Sequence, residues 1–247
     1  MTRRYLTPPD TRLYAIGDIH GYRKPLADMI DLIAEDVRGR YIRNVEVIFL
    51  GDYVDRGPDS AGLLDDLIAL KAQTVLPFRF TFLKGNHENG MLSFANEPLG
   101  KRRDWLRWGG VQTLESYGIT PRADIPLDDQ AAGLAKQLRR ALPAAHRAFM
   151  EELALYHIAG GYLFVHAGIR PNFPMGEQEP RDLWMIREGF LDYTGEHDWR
   201  VVHGHTITEK PEILPNRINV DTGLYQHGVL SCAVLEGDTV SVLQVRR

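Results

Sequence analysis

At 247 residues, with 44% apolar and 25% charged side chains, the chain has an ordinary globular composition and a length near the ~250–300 residues at which one core stops growing. A net charge of −4 gives no push towards a nucleic-acid polymer or an anionic membrane, and the lone Cys232 excludes an internal disulfide framework or a cysteine-built zinc site. No apolar run approaches ~18 residues and no hydrophobic stretch follows Arg3 and Arg4, so neither a membrane span nor a signal peptide is expected and the cytoplasm is the default location.

Residues 13–17, Leu-Tyr-Ala-Ile-Gly, read as a first strand that ends in Asp18-Ile19-His20-Gly21. Side chains alternate along a strand, so an extended tip puts Asp18 and His20 on one face and Ile19 in the core. Leu26, Met29, Ile30 and Ile33 then repeat at helical spacing, with Pro25 in the first turn. A second strand, 45–50, runs into Gly51-Asp-Tyr-Val-Asp-Arg-Gly57, and Pro58, Asp59 and Ser60 signal a helix start. A third strand, Phe78 to Leu83, ends in Gly85-Asn86-His87-Glu88. The pairs Gly17-Asp18, Gly51-Asp52 and Gly85-Asn86 are each 34 residues apart. Strand, crossover helix and next strand need about 30 residues, so three equal βα units and parallel strands are expected. The alternative, a helical repeat array, is disfavoured by the β-branched and aromatic strands.

From 90 to about 156 the pattern is helical, with helices predicted over 130–142 and 144–156 and a loop over 119–128. This stretch reads as an insertion or lid beside the sheet, within a single domain spanning 1–247. Its basic cluster, Lys101, Arg102, Arg103 and Arg107, reads as a solvated helix face, with a phosphate-attracting rim as the alternative. Tyr162 to Val165 is another buried strand, ending in His166-Ala167-Gly168. Residues 171–181 form a loop, and Leu183 to Phe190 is a short apolar segment. Arg200 to Val202 leads to His203-Gly204-His205-Thr206. Beyond Pro211 the chain reads as β, at Ile218–Val220, Val229–Leu235 and Val240–Val245, with a hairpin turn at Gly237-Asp238. A second sheet packed on the first is expected. Cys232 lies in one of these strands and reads as a buried small hydrophobe.

Five strand-end clusters thus carry Asp18, His20, Asp52, Asn86, His166 and His205. A carboxylate, imidazole and amide set without thiolate suits Mn, Fe or Zn. Six residues serve two metals about 3.5–4 Å apart only if one carboxylate bridges, and such pairs clamp phosphoryl groups. Alternation alone does not choose between His203 and His205. His146, His157, His197 and His227 fit no cluster and read as packed or surface residues. Tyr225 reads as a turn residue, with substrate contact as the alternative.

The blocks Gly17–Gly21, Gly51–Gly57, Gly85–Glu88, His166–Gly168 and Gly204–Thr206 resemble the signatures of the PPP-type protein serine/threonine phosphatases, and more closely their bacterial and phage members among the calcineurin-like metallophosphoesterases. The resemblance spans about residues 12–236. It implies an α/β (α+β) fold of two packed mixed β-sheets flanked by helices. It implies two metal ions, manganese first and iron or zinc as alternatives. Asp18 and His20 would hold one, Asn86, His166 and His205 the other, and Asp52 would bridge. His87 would be the general acid, kept oriented by Asp55. Arg56 and Arg187 would bind the substrate phosphate.

The leading expectation is a phosphomonoesterase acting on phosphoserine or phosphothreonine in proteins, with phosphotyrosine as a further substrate, and with hydroxide held between the metals attacking phosphorus in line. The alternative is a hydrolase of dinucleoside polyphosphates or other small phosphoesters. Related nucleotide-cleaving enzymes often lack the second aspartate of the middle block, and Asp55 is present here. A non-catalytic metal-binding scaffold would require a missing ligand or a missing His87, and neither is missing.

Overall fold

A computed structural model describes residues 5–247; Arg3 and Arg4 lie outside the described residues. Strands β1 (Thr11–Ile16), β2 (Asn44–Phe49) and β3 (Phe78–Phe82) pair in parallel, with Ala15 opposite Ile48 and Ile48 opposite Thr81. The crossovers are α1 (Arg23–Val37) and α2 (Ser60–Ala72). Asp59 starts α2 by accepting the Gly62 N–H at 2.8 Å, the role of an N-cap side chain. The expectation of three parallel βα units therefore holds.

The two faces of β1 explain the layering. Tyr14 and Ile16 point towards the helices, where they join Leu26, Met29, Phe49 and Leu63 in one core. Leu13 and Ala15 point the other way and meet Tyr162, Phe164, Val202 and Ile218 of a second sheet. A strand apolar on both faces is the signature of a sheet covered on both sides.

Helices fill the stretch between β3 and the second sheet. They are α3 (Asn86–Asn96), a 3-10 segment (Gly100–Trp108), α4 (Gly110–Ser116), α5 (Leu127–Ala141) and α6 (Ala144–Glu151). Phe94, Trp105, Leu138 and Phe149 bury them on the same core as α1 and α2. The last helix ends at Glu151 rather than 156, and the segment after it is a strand, β4 (Tyr156–Ala159). It is an edge strand, with Tyr156 40% and Ile158 38% exposed, and has no continuous apolar run.

The second sheet has the order β4, β5 (Tyr162–Val165), β6 (Arg200–His203), β8 (Arg217–Asn219) and β7 (Glu212–Ile213), with β5, β6 and β8 parallel. Only the start of the apolar segment Leu183–Phe190 is helical, in α7 (Pro180–Met185), which begins within the stretch expected to be loop. One expectation is corrected. The last strands, β9 (Val229–Glu236) and β10 (Thr239–Arg246), do not build the second sheet but return to the first, β9 lying antiparallel to β1. The short helix α8 (Leu224–His227) precedes them. The result is two packed mixed five-stranded sheets flanked by helices. Cys232 is fully buried in β9 opposite Ile16.

Phe164 is fully buried at the seam between the sheets. Phe164→Ala is expected to cost about 3–5 kcal/mol, read as a lower urea midpoint at unchanged slope. A loss below ~1 kcal/mol would contradict the seam as a close-packed core.

Candidate active site

The parallel strands of both sheets point their carboxyl ends at one cavity of about 420 Å³, the place where open α/β sheets bind ligands. Asp18 follows β1, Asp52 follows β2, Asn86 follows β3, His166 follows β5 and His205 follows β6. All five are buried, as is His20.

Tight turns, not extended tips, bring the side chains together. His20, Asp52, Asp55, Arg56 and His205 all have positive φ, between 49° and 74°, a region costly for residues with a Cβ. So Asp18 and His20 do share the cavity, but through a left-handed turn at His20 rather than by strand alternation. Gly51 and Gly85 permit the approach of the second and third tips: a Cβ on Gly51 would lie 2.6 Å from Gly85 N, and one on Gly85 would lie 2.0 Å from Asp52 Oδ1.

Two donor groups result. Side-chain atoms of His20, Asp52 and His87 lie within 4.8 Å of one another, and so do those of Asp52, His166 and His205. Asp52 belongs to both. His166 Nε2 is 3.1 Å from Asn86 Oδ1, 3.4 Å from Asp52 Oδ1 and 3.2 Å from His205 Nδ1. The Asp18 carboxylate accepts the His205 N–H at 3.2 Å. His203 is sorted out by packing: it is buried against Phe190, ring centroids 5.0 Å apart, and belongs to neither donor group.

The donor set fits cations. Val54 O lies 2.8 Å from His20 Nδ1 and Leu50 O lies 2.8 Å from His166 Nδ1. Each carbonyl fixes the tautomer and turns the Nε2 lone pair inwards, as in metal-ligating histidines. Burial pushes the His20 imidazole down to about 3 and the His205 imidazole down to about 2, so both stay in the neutral form that ligates metals. Burial, and then the carboxylates of Asp221 and Asp52, hold Asp18 well above the usual carboxylate range. The protein brings buried oxygens together without enough positive charge to neutralise them. The buried Nε2 of His205 also has no protein partner.

His87 stands in the first donor group where Asp18 was expected, and it is also held from outside that group. Its Nδ1–H donates to Asp55 Oδ2 at 2.6 Å, leaving Nε2 3.8 Å from Asp52 Oδ2. Burial lowers the His87 pKa, but Asp52 and Asp55 more than offset it and the net shift is upward. Asp55 has further donors that the sequence did not disclose: Trp105 Nε1–H at 2.8 Å and the Thr113 hydroxyl at 2.6 Å. The helical stretch between the sheets therefore supplies part of the site. Arg56 and Arg187 both line the cavity; Arg187 donates to His205 O at 3.2 Å, and the buried Nε of Arg56 has no protein partner. Tyr225 lines it too, beneath the Arg56 guanidinium at 4.3 Å and edge-on to His20.

Two buried carboxylates were missed. Asp221 follows β8 and lines the cavity; burial pushes its pKa up to about 6. The signal was present, since Val220-Asp221-Thr222-Gly223 repeats the strand-tip, oxygen and glycine pattern of the other clusters. Glu88 is fully buried and accepts four backbone N–H groups: Asp52 at 3.0 Å, Tyr53 at 2.7 Å, Val54 at 3.2 Å and Gly85 at 2.9 Å. Of the basic cluster, Arg102 pairs with Glu97, and Arg107 pairs with Asp104 and Asp128, largely the solvated face expected.

Comparison with known proteins gives the family. A model of the calcineurin-like phosphoesterases matches residues 11–230, so the chain belongs to that family of metal-dependent phosphoesterases. A curated relative from Oceanobacillus iheyensis, named bis(5'-nucleosyl)-tetraphosphatase PrpE, asymmetrical, is 26% identical over 84% of this chain and 82% of its own. One of the same name from Geobacillus thermodenitrificans is 29% identical over 92% of each chain. Solved structures share the fold. One provisionally described as a diadenosine tetraphosphatase has a TM-score of 0.63 at 21% identity, covering 98% of both chains. A cold-active protein-tyrosine phosphatase of a Shewanella species has 0.61 at 16%, covering 98% of this chain and 83% of its own. A protein serine/threonine phosphatase of Saccharomyces cerevisiae has 0.53 at 16%, covering 97% and 81%. Among the described residues no helix is long and apolar enough to cross a membrane.

Two outcomes are expected from this geometry. Mn²⁺ at 100 times its Kd stabilises the fold by about 2.7 kcal/mol, seen as a higher thermal midpoint that Asp52→Asn largely abolishes. Glu88→Gln replaces one carboxylate oxygen by an amide donor, losing two of four N–H bonds, and should lower stability in urea by about 2–4 kcal/mol.

Proposed function

We propose that this chain hydrolyses dinucleoside tetraphosphates asymmetrically, releasing a nucleoside triphosphate and a nucleoside monophosphate. The observation that carries the reading is the shared name of the curated relatives, which align with most of this chain at 25–29% identity. The expectation of a protein serine/threonine phosphatase becomes the second reading. What favours it is the His87–Asp55 pair, suited to protonating a basic alkoxide.

In this reading Asp18, His20 and Asp52 would hold one cation, and Asp52, Asn86, His166 and His205 would hold the second. Cations bound there would supply Lewis-acid charge for the phosphoryl oxygens and a water acidic enough to be a nucleophile near neutral pH. Manganese is the first candidate, with iron or zinc as alternatives. Arg56 and Arg187 clamp the non-bridging oxygens of the phosphoryl group under attack. His87 donates its Nε2 proton to the leaving oxygen while Asp55 holds the opposite ring nitrogen. Trp105 and Thr113 hold Asp55. The two substrate classes ask different things of His87. A triphosphate leaving group is far less basic than an alkoxide, so its departure depends less on proton donation.

The test is chromatography of the products of diadenosine tetraphosphate with metal-stripped and then Mn²⁺-loaded protein. ATP and AMP in equal amounts, absent with chelator, are expected; two ADP, or no turnover beside brisk hydrolysis of a phosphoserine peptide, would sink the reading. His87→Asn should lower kcat on the phosphopeptide by about 10²–10⁴-fold and on the dinucleotide by a smaller factor.

A further inference from the structure

A second cleft, of about 380 Å³, lies beside the catalytic cavity. Arg56, Trp108 and Tyr225 line both spaces, so they form the ridge between them. The outer side carries Arg107, Val111 and Gln112, and no carboxylate is among its lining residues. Trp108 is only partly buried. It is braced from below: a Cβ on Gly90 of α3 would lie 3.3 Å from Trp108 Cζ3. Its ring is 6.1 Å from that of His87. Behind the ridge, the Arg56 N–H donates to Gly109 O at 3.2 Å, tying the phosphate-facing arginine to the segment that bears Trp108. Arg107 is held in place by Asp128 at 2.8 Å.

We propose that this outer cleft is a nucleoside subsite, in which a nucleobase of the substrate stacks on the Trp108–Tyr225 ridge while its phosphates pass over Arg56 into the catalytic cavity. The proposal rests on the nucleotide reading of the site and adds where selectivity for a nucleoside arises. Three features fit this ligand. A base has a flat π-face, and stacking on aromatic rings tolerates any base. The Gln112 amide offers a donor and an acceptor to a polar base edge. The Arg56 guanidinium, whose buried Nε has no protein partner, suits the phosphates that follow the base into the cavity.

The experiment compares kcat/KM of Mn²⁺-loaded wild type, Trp108→Ala and Trp108→Leu on three substrates: diadenosine tetraphosphate, glycerol phosphate and a phosphotyrosine peptide. Trp108→Leu keeps an apolar side chain over Gly90 and removes the π-face, so it tests stacking if the alanine variant does not fold. The expected result is a fall in the ratio of dinucleotide to glycerol phosphate of about 5- to 100-fold, carried mostly by KM. Equal losses on dinucleotide and glycerol phosphate would overturn the subsite, since Trp108 would then only shape the catalytic cavity. A loss confined to the phosphotyrosine peptide would overturn it in favour of a peptide-binding ridge. Wild type that cleaves glycerol phosphate but not the dinucleotide would overturn the nucleotide reading, and the subsite with it. Wild type that cleaves the dinucleotide as well as its Trp108 variants do would overturn the subsite alone.

Discussion

The buried carboxylate of Glu88 is the interaction on which the rest of the site depends. It sits in the first turn of α3 and accepts N–H groups from Asp52, Tyr53 and Val54 as well as from Gly85. It therefore ties the tip of β2 to the tip of β3. Three residues of the loop it holds, Asp52, Asp55 and Arg56, have positive φ, a conformation that costs of order 1–3 kcal/mol each. Charge-assisted hydrogen bonds in a buried setting have the strength to offset that cost. Without them Asp52 would relax towards the ordinary β region and leave the position from which it joins both donor groups.

A second constraint acts from the helical stretch. Trp105 and Thr113 belong to segments that lie between the two sheets in chain order only, yet their polar atoms end on Asp55. The Asp55 N–H is itself accepted by Ser60 and by Thr113. Asp55 is thus fixed at its backbone and at both carboxylate oxygens, and through it so is the His87 ring. A buried carboxylate with this many donors is rigid because every displacement leaves one of them unpaired. The stretch is part of the site and not a decoration beside it.

How far the sequence discloses this follows from the range of each interaction. The parallel half of the first sheet was legible because each strand, glycine and oxygen-bearing residue recur within one local unit. The tips carrying Asp18, Asp52, Asn86, His166 and His205 were legible for the same reason. Local pattern does not encode which distant edge a late strand joins, so β9 and β10 were expected in the wrong sheet. The edge strand β4 was hidden because its exposed Tyr156 and Ile158 follow directly on an amphipathic helix. Trp105 and Thr113 carry no local mark of their role, since contacts 50 and 58 residues away in sequence define it. Asp221 was legible in principle, by the strand-tip rule applied a sixth time.

The electrostatics of the cup connect fold to chemistry. Asp18 and Asp221 are two buried carboxylates pushed above their usual range, and burial is the first cause for each. Asp52, between them and the histidines, goes the other way: burial raises it, but His166 and His87 hold it well below the usual range. A fold at its stability optimum would not bury three carboxylates with so little compensating charge. Their shared burial makes sense if positive charge arrives from outside as cations, beside the Arg56 and Arg187 guanidinium groups that already line the cavity. The same arrangement then favours anionic substrates without choosing among them, because phosphoryl oxygens are common to every phosphoester. Choice of substrate must therefore come from the walls beyond the cup, where Trp108, Tyr225 and the arginines stand.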